Sequence, residues 1–396
     1  MGNTNFAALR TRFPGTEKGV YMNVAARGLI TRESRAAIDR ILDDRLYGTA
    51  DKAAMFEQIE RTRANYAALI NADPDEIAFT KNVSDGLNAI IAGFDWRRGD
   101  NAVVCSELEH PNNVIPWQYM AKRSGIEVKT VAPRDGHITP QAIADAIDKN
   151  TRMVTAASVT FAPGFRTDLA AIATLCRERD ILFLVDGVQS VGILHTDVDD
   201  LGIDAMAVST QKGLLGLYGM GFLYCRREWA ERITPVYMAR FGIDMGDAHE
   251  AALGDGEERL APGARRFDLG NYNYVGAAAA EQSIGMMLET GTQAIEDHVT
   301  GLARDLATRL MDMGLPVVAG APGPAGASIV SVGSIGEGQH DSVDDPAMAA
   351  LYDHLMANGV NLSIRRGILR FSLHLYNDSS DVDRVIELAR GHNRAA

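Results

Sequence analysis

The chain has only three cysteines, Cys105, Cys176 and Cys225, and no CxxC pair. So sparse and odd a set excludes a disulfide framework and a thiolate zinc site, and it suits a reducing compartment. Long apolar runs are missing too: none approaches the roughly 18 residues that a membrane span needs. The first 20 residues hold Arg10, Arg12 and Lys18 but no apolar stretch, so no secretory signal is expected. The Met1-Gly2 start fails the myristoylation pattern, because Phe6 stands where a serine or threonine is needed. A cytoplasmic protein without a membrane partner is the expectation. Basic residues are in deficit, 39 against 52 acidic for a net charge of −13, and the acidic ones are spread along the chain. A surface that tracks a phosphate backbone is therefore not expected, which sets nucleic acid aside as a partner. No internal repeat or low-complexity tract is present.

What is there is an ordinary globular composition over 396 residues, too long for one compact core. Short apolar runs at 102–105, 153–157, 182–185 and 205–208 read as buried strands. Helix-periodic stretches lie between them. In one, Leu169, Ile172 and Cys176 recur at three- and four-residue steps, with Asp168 placed as an N-cap. Strand and helix alternating in this way predicts an α/β fold on a mainly parallel sheet, whose ligands sit beyond the carboxyl ends of the strands. After about residue 275 the pattern changes. A helix with Val299, Leu302, Leu306, Leu310 and Met313 on one face precedes two strands, 328–332 and 369–373, that flank a helix near 346–358. The domain reading is 21–274 for the large domain and 275–396 for a smaller α+β domain, with 1–20 packing against the latter. The stretches 242–263 and 319–346, rich in glycine, proline and acid, read as loops, one of them a candidate lid.

The chemistry concentrates between residues 182 and 212. The strand 182–185 runs into Asp186, then Gly187-Val188-Gln189-Ser190. A carboxylate at that place either caps the next helix or holds a cationic ligand atom. Further on, Ser209-Thr210-Gln211-Lys212-Gly213 follows the strand 205–208 directly. A lysine there is either a snorkelling surface residue or a desolvated amine with a lowered pKa, a nucleophile toward carbonyls. The segment from Thr80 to Asn88 joins a strand at 77–79 to an apolar helix pattern, so its backbone N–H groups are placed to bind an anion. The Gly213–Gly221 stretch lacks the GK[ST] ending of a phosphate loop and reads as a tight turn.

Taken together, Asp186, Gln189 and Lys212 resemble the site of the class V aminotransferase and cysteine desulfurase family, pyridoxal 5'-phosphate (PLP) enzymes of fold type I. The resemblance runs from Tyr21-Met22-Asn23 to the Ser372–Asn377 segment. It implies that Lys212 condenses with the cofactor and then carries the substrate's Cα proton, that Asp186 pairs with the pyridinium nitrogen, and that Gln189 bonds the phenolic oxygen. His110, in Glu109-His110-Pro111-Asn112-Asn113, would stack on the ring. Val83, Ser84, Ser209 and Gln211 would hold the phosphate. The segment Arg265–Tyr272 resembles one that reaches the partner subunit's cofactor, with Asn271 at the usual threonine position, so a homodimer with shared active sites is implied. Arg370 matches the residue that clamps the substrate's α-carboxylate, which a bidentate guanidinium suits. Asn23 and Arg27 match a segment near the substrate.

The match departs from the desulfurase pattern in three places. No cysteine lies between Asn358 and Arg370, Gln211 precedes the lysine where histidine is common, and Phe161 stands where asparagine is common. On these grounds a cysteine desulfurase is not expected. The leading expectation is an aminotransferase acting on an amino acid, with a C–S or β-lyase or an epimerase of the same family as the alternative. A non-catalytic PLP-binding regulator is the more distant reading, and no metal is expected.

Overall fold

The computed structural model describes residues 4–244, 246, 259–318, 323, 325–336 and 341–395. Seven strands build the main sheet: β1 Ile77–Thr80, β2 Asn101–Val104, β3 Glu127–Thr130, β4 Thr151–Ala157, β5 Leu182–Asp186, β6 Ala205–Ser209 and β7 Gly221–Cys225. Their order is β1-β7-β6-β5-β4-β2-β3. Every pairing is parallel except the two made by β7. β5, β6 and β7 are buried along their whole length, as strands covered on both faces must be, which is why they read as continuous apolar runs. β3 was not legible as a strand: Glu127-Val128-Lys129-Thr130 is half-exposed at the sheet edge and has no apolar run to betray it.

The fold is α/β with a mainly parallel central sheet, as expected. The helix periodicity at 169–176 is also met by the helix Leu169–Arg177, whose N-cap Asp168 accepts the Ala171 N–H at 3.1 Å. β7 is an addition. The Gly213–Gly221 stretch does turn tightly, with Leu215 and Gly219 at positive φ, but the chain then runs back beside β6 instead of entering a helix.

A second, antiparallel sheet holds β8 Ile329–Val332, β9 Ser363–Arg365 and β10 Ile368–Ser372 in the order β9-β10-β8. The helix Thr292–Asp312 buries Val299, Leu306 and Leu310. Residues 4–21 lie against the C-terminal elements. Phe6 stacks on His298, Arg10 grips Asp381 at 2.7 and 2.9 Å, and Val20–Tyr21 pairs in parallel with Val360–Asn361. Of the candidate lid 242–263, residues 245 and 247–258 lie outside the described residues, as do 319–322, 324 and 337–340 of the second loop. No helix among the described residues is long and apolar enough to cross a membrane.

Candidate active site

Three strand ends and one helix start meet over the carboxyl edge of the main sheet. β5 delivers Asp186, buried, whose Oδ1 accepts the Val188 N–H at 3.0 Å. β6 delivers Ser209 and, past Thr210, the Gln211-Lys212 pair. β1 leads into the helix Val83–Gly93, which Asn82 caps by accepting the Asp85 N–H at 3.0 Å. The loop after β2 brings His110, whose Nδ1 accepts the Asn112 N–H at 3.2 Å and whose ring meets Phe161 edge-on at 5.3 Å. These residues enclose a cavity of about 290 Å³.

Val83, Ser84, His110, Asp186, Gln189, Ser209, Gln211 and Lys212 all line that one cavity. Asn23, Arg27, Arg370 and Asn271 do not. Asn23 Nδ2 donates to Asn361 Oδ1 at 2.9 Å, and the buried Oδ1 of Asn23 has no partner among the described residues. Arg27 is exposed. Asn271, at φ 44°, faces a neighbouring cleft that Ser84 and Asn82 share. Arg370 stands behind Phe161, one of the cavity's walls, and donates to the Phe161 carbonyl at 2.7 Å and to Ser363 Oγ at 3.2 Å. It is buried, and no carboxylate among the described residues bonds it, although Arg365 nearby takes Asp341 at 2.6 Å. Burial, with the Arg365 charge second, pulls the Arg370 guanidinium down to about 9. A buried cation without an acid partner is costly by itself and marks a place for an anion.

Burial also pulls the Lys212 ammonium down to about 8, against the attraction of Asp186 and with some help from Arg370 and Arg365. Asp186 is pushed up by burial, while the Val188 amide and the Lys212 charge oppose the shift. A lysine at about 8 has a substantial neutral fraction near pH 7, far larger than that of an ordinary surface lysine. Capture of an aldehyde such as PLP should therefore rise with pH and level off near 8. Labelling of Lys212 measured across pH checks this, and a rate still climbing at about 10, where a free lysine titrates, would contradict it.

One site group was not foreseen. Glu109 is buried beside Asp186, and burial, followed by the Asp186 charge, pushes it up to about 8. Its oxygens accept from the Ala157 N–H at 2.6 Å and from Asn113 Nδ2 at 2.9 Å, which ties the His110 loop to the end of β4. In the sequence it is a glutamate in a polar loop, and nothing local tells that it points inward. Phe161 and Tyr218 also line the cavity without having been assigned a role.

The residues present fit PLP on the structure's own terms. A lysine of lowered pKa and a buried carboxylate face the same space. At the helix start the Val83 N–H is taken by Ser209 Oγ at 2.7 Å, but no described residue accepts from the Ser84 N–H, which leaves a backbone donor and two hydroxyls for a phosphate. Arg265, in the segment read as reaching a partner, is committed to Asp75 and Glu60, each at 2.6 Å.

The sequence profile of the family described as aminotransferase class-V matches residues 47–385. A probable cysteine desulfurase of Methanothermobacter thermautotrophicus is 34% identical over 63% of this chain and 60% of its own length, so the chain covers under two thirds of that relative. The apo cysteine desulfurase of Thermococcus onnurineus superposes with a TM-score of 0.81 at 24% identity, covering 99% of this chain and 100% of its own. The cystine C–S lyase C-DES, solved with its product cysteine persulfide, gives 0.83 at 24% identity over 95% of this chain and 99% of its own. The names of the sequence relatives overturn the expectation that the chain is not of the cysteine desulfurase kind. The expectation leaned on single residues at the cavity's edge, whereas the relationship is carried by most of the chain.

Proposed function

Since the chain belongs to the aminotransferase class-V family, we propose that it binds PLP and cleaves the Cβ–S bond of a cysteine-type amino acid. This takes the lyase alternative above the aminotransferase reading. The observation that carries it is the convergence of Lys212, Asp186 and an unclaimed backbone donor at Ser84 on one cavity, with a buried, acid-free Arg370 behind its wall. The choice of sulfur rests on the names of the relatives.

When bound, PLP supplies an electron-poor ring conjugated to the substrate's Cα, which makes that C–H acidic. Lys212 removes the Cα proton, a task suited to an amine that burial keeps partly neutral. Asp186 holds the proton on the ring nitrogen, and its buried place at the end of β5 keeps water from competing for it. His110 would cover one face of the ring, and Gln189 would bond the phenolic oxygen. Arg370 receives the substrate carboxylate, and its fork sets the direction in which the Cα–H points. The Cβ–S bond then breaks with its electron pair leaving on sulfur. All three cysteines of the chain are buried in its core, and burial pushes the Cys105 thiol up to about 11 and that of Cys176 up to about 12. With no thiol of the chain to attack it, the sulfur leaves on the substrate's own fragment, as hydrosulfide from cysteine or as cysteine persulfide from cystine, and the remaining three-carbon fragment is released as pyruvate and ammonia.

The test is to load the protein with PLP and supply L-cysteine and L-cystine, following pyruvate, sulfide and persulfide. Formation of pyruvate is expected, with sulfide from L-cysteine and persulfide sulfur from L-cystine. A keto acid formed in step with the aminated cofactor, and reversed by added keto acid, would return the reading to transamination.

We propose further that two copies share their sites across the face that carries Asn271, which lines the cleft beside Ser84 instead of its own Lys212 cavity. Light scattering should give twice the chain mass, and a monomer that retains full activity would refute the sharing.

A further inference from the structure

Lys212 lies in a turn whose successive carbonyl oxygens are all engaged. Gln211 O accepts the Gly28 N–H at 2.8 Å, and Lys212 O accepts the Leu215 N–H at 3.0 Å. Leu214 O accepts the Ser283 hydroxyl at 2.7 Å. Between these, Gly213 O receives His374 Nε2 at 2.8 Å. The Leu375 N–H donates to His374 Nδ1 at 2.7 Å, so Nδ1 carries no proton and Nε2 is the donor to Gly213. The ring is fully buried, and burial pulls its pKa down to about 4, so it stays neutral wherever the protein works.

The same peptide is also packed closely against backbone. A Cβ on Gly192, which sits at φ +88°, would lie 2.4 Å from Gly213 O, and one on Gly213 would lie 2.4 Å from Val191 O. The Gly213 peptide therefore cannot retreat toward 191–192, and His374 bonds its carbonyl oxygen. His374 itself belongs to a braced segment. Its N–H donates to Asn377 Oδ1 at 2.9 Å, Asn377 donates to Asp381 and to Tyr21 O, each at 2.9 Å, and Asp381 is held by Arg10. The same short segment carries Arg370 at its start, in β10.

We propose that His374 is a positioning residue that fixes the Lys212 turn relative to Arg370, so that the base and the group holding the substrate's carboxylate keep one spacing. The inference rests on the reading of Lys212 and Arg370 given above. An amine displaced by about 1 Å can lose up to two orders of magnitude in rate, and of the bonds described on this turn the one from His374 ties it to the segment that carries Arg370.

The test uses the full-length chain stripped of cofactor, incubated with PLP and borohydride, with Lys212 labelling followed by mass spectrometry. His374→Leu, close in volume but without a donor, should label about tenfold more slowly than the parent. His374→Gln, whose amide N–H can reach Gly213 O, should restore most of the rate, while thermal unfolding stays near that of the parent. Where the leucine variant does not fold, Asn against Gln decides, since the shorter amide cannot reach the carbonyl. Equal labelling by parent and leucine variant, or by Asn and Gln, overturns the role of His374. A parent that labels elsewhere than Lys212 overturns the reading of Lys212 itself, and the two failures are told apart by the parent alone.

Discussion

Lys212→Ala is expected to lower turnover by at least about three orders of magnitude while leaving the fold intact, because it removes both the amine that captures the cofactor and the group that takes the Cα proton. The side chain ends in a cavity and makes no ion pair at contact distance among the described residues, so its loss opens space without stranding a buried partner there. Asp186 gains from it only a through-space attraction. Thermal unfolding of the variant should therefore match the parent within a few degrees, and the visible band of lysine-bound PLP should be gone. Activity retained within tenfold would remove Lys212 from the mechanism. Added ethylamine offers a second readout: a small primary amine that fits the vacated space should restore part of the rate, which a purely structural lysine would not allow.

The large sheet and the cluster of groups at its carboxyl edge were legible for one reason. Buried parallel strands are short apolar runs, and the residue after such a run has to sit at the sheet edge where ligands bind. Asp186 after Leu182–Val185, and Lys212 a few residues after Ala205–Val208, are located by that logic before any coordinates exist. What escaped was set by packing between distant segments. Glu109 is an ordinary loop glutamate until the Ala157 amide and Asn113 draw it inward. His374 looked like one letter of a motif, and its bond to Gly213 spans 161 residues. Arg370 was placed by resemblance as a carboxylate clamp, but only coordinates show that no acid of the described chain already occupies it. Asn23 and Arg27 were placed near the substrate by the same resemblance, and neither lines the Lys212 cavity. The misjudged desulfurase question has a related cause: a sequence records that a thiol is missing near Arg370, but a Cβ–S bond can break by elimination without any thiol of the chain.

Asp186→Asn is the second large loss to be expected, about two to three orders of magnitude in kcat, since a neutral amide cannot hold a proton on the ring nitrogen as a buried carboxylate does. The variant keeps the shape of the side chain, and the asparagine oxygen can still accept the Val188 N–H now bonded at 3.0 Å, so folding should be spared and the cofactor should still attach to Lys212. The direction of the Asp186 shift sets the pH dependence in the parent. Burial raises its pKa, and every cation brought near lowers it. In the empty protein the carboxyl therefore takes up a proton at higher pH than a free aspartate does, and a bound ring cation drives that proton off again. PLP affinity should accordingly fall as pH drops through the raised Asp186 pKa, and the dependence should vanish in Asp186→Asn. Titration of cofactor binding by fluorescence in parent and variant separates these cases. Equal pH profiles for the two proteins would take Asp186 away from the ring nitrogen and leave it as the cap of the Gly187–Ser190 turn, which was the other reading its position at the end of a buried strand allowed.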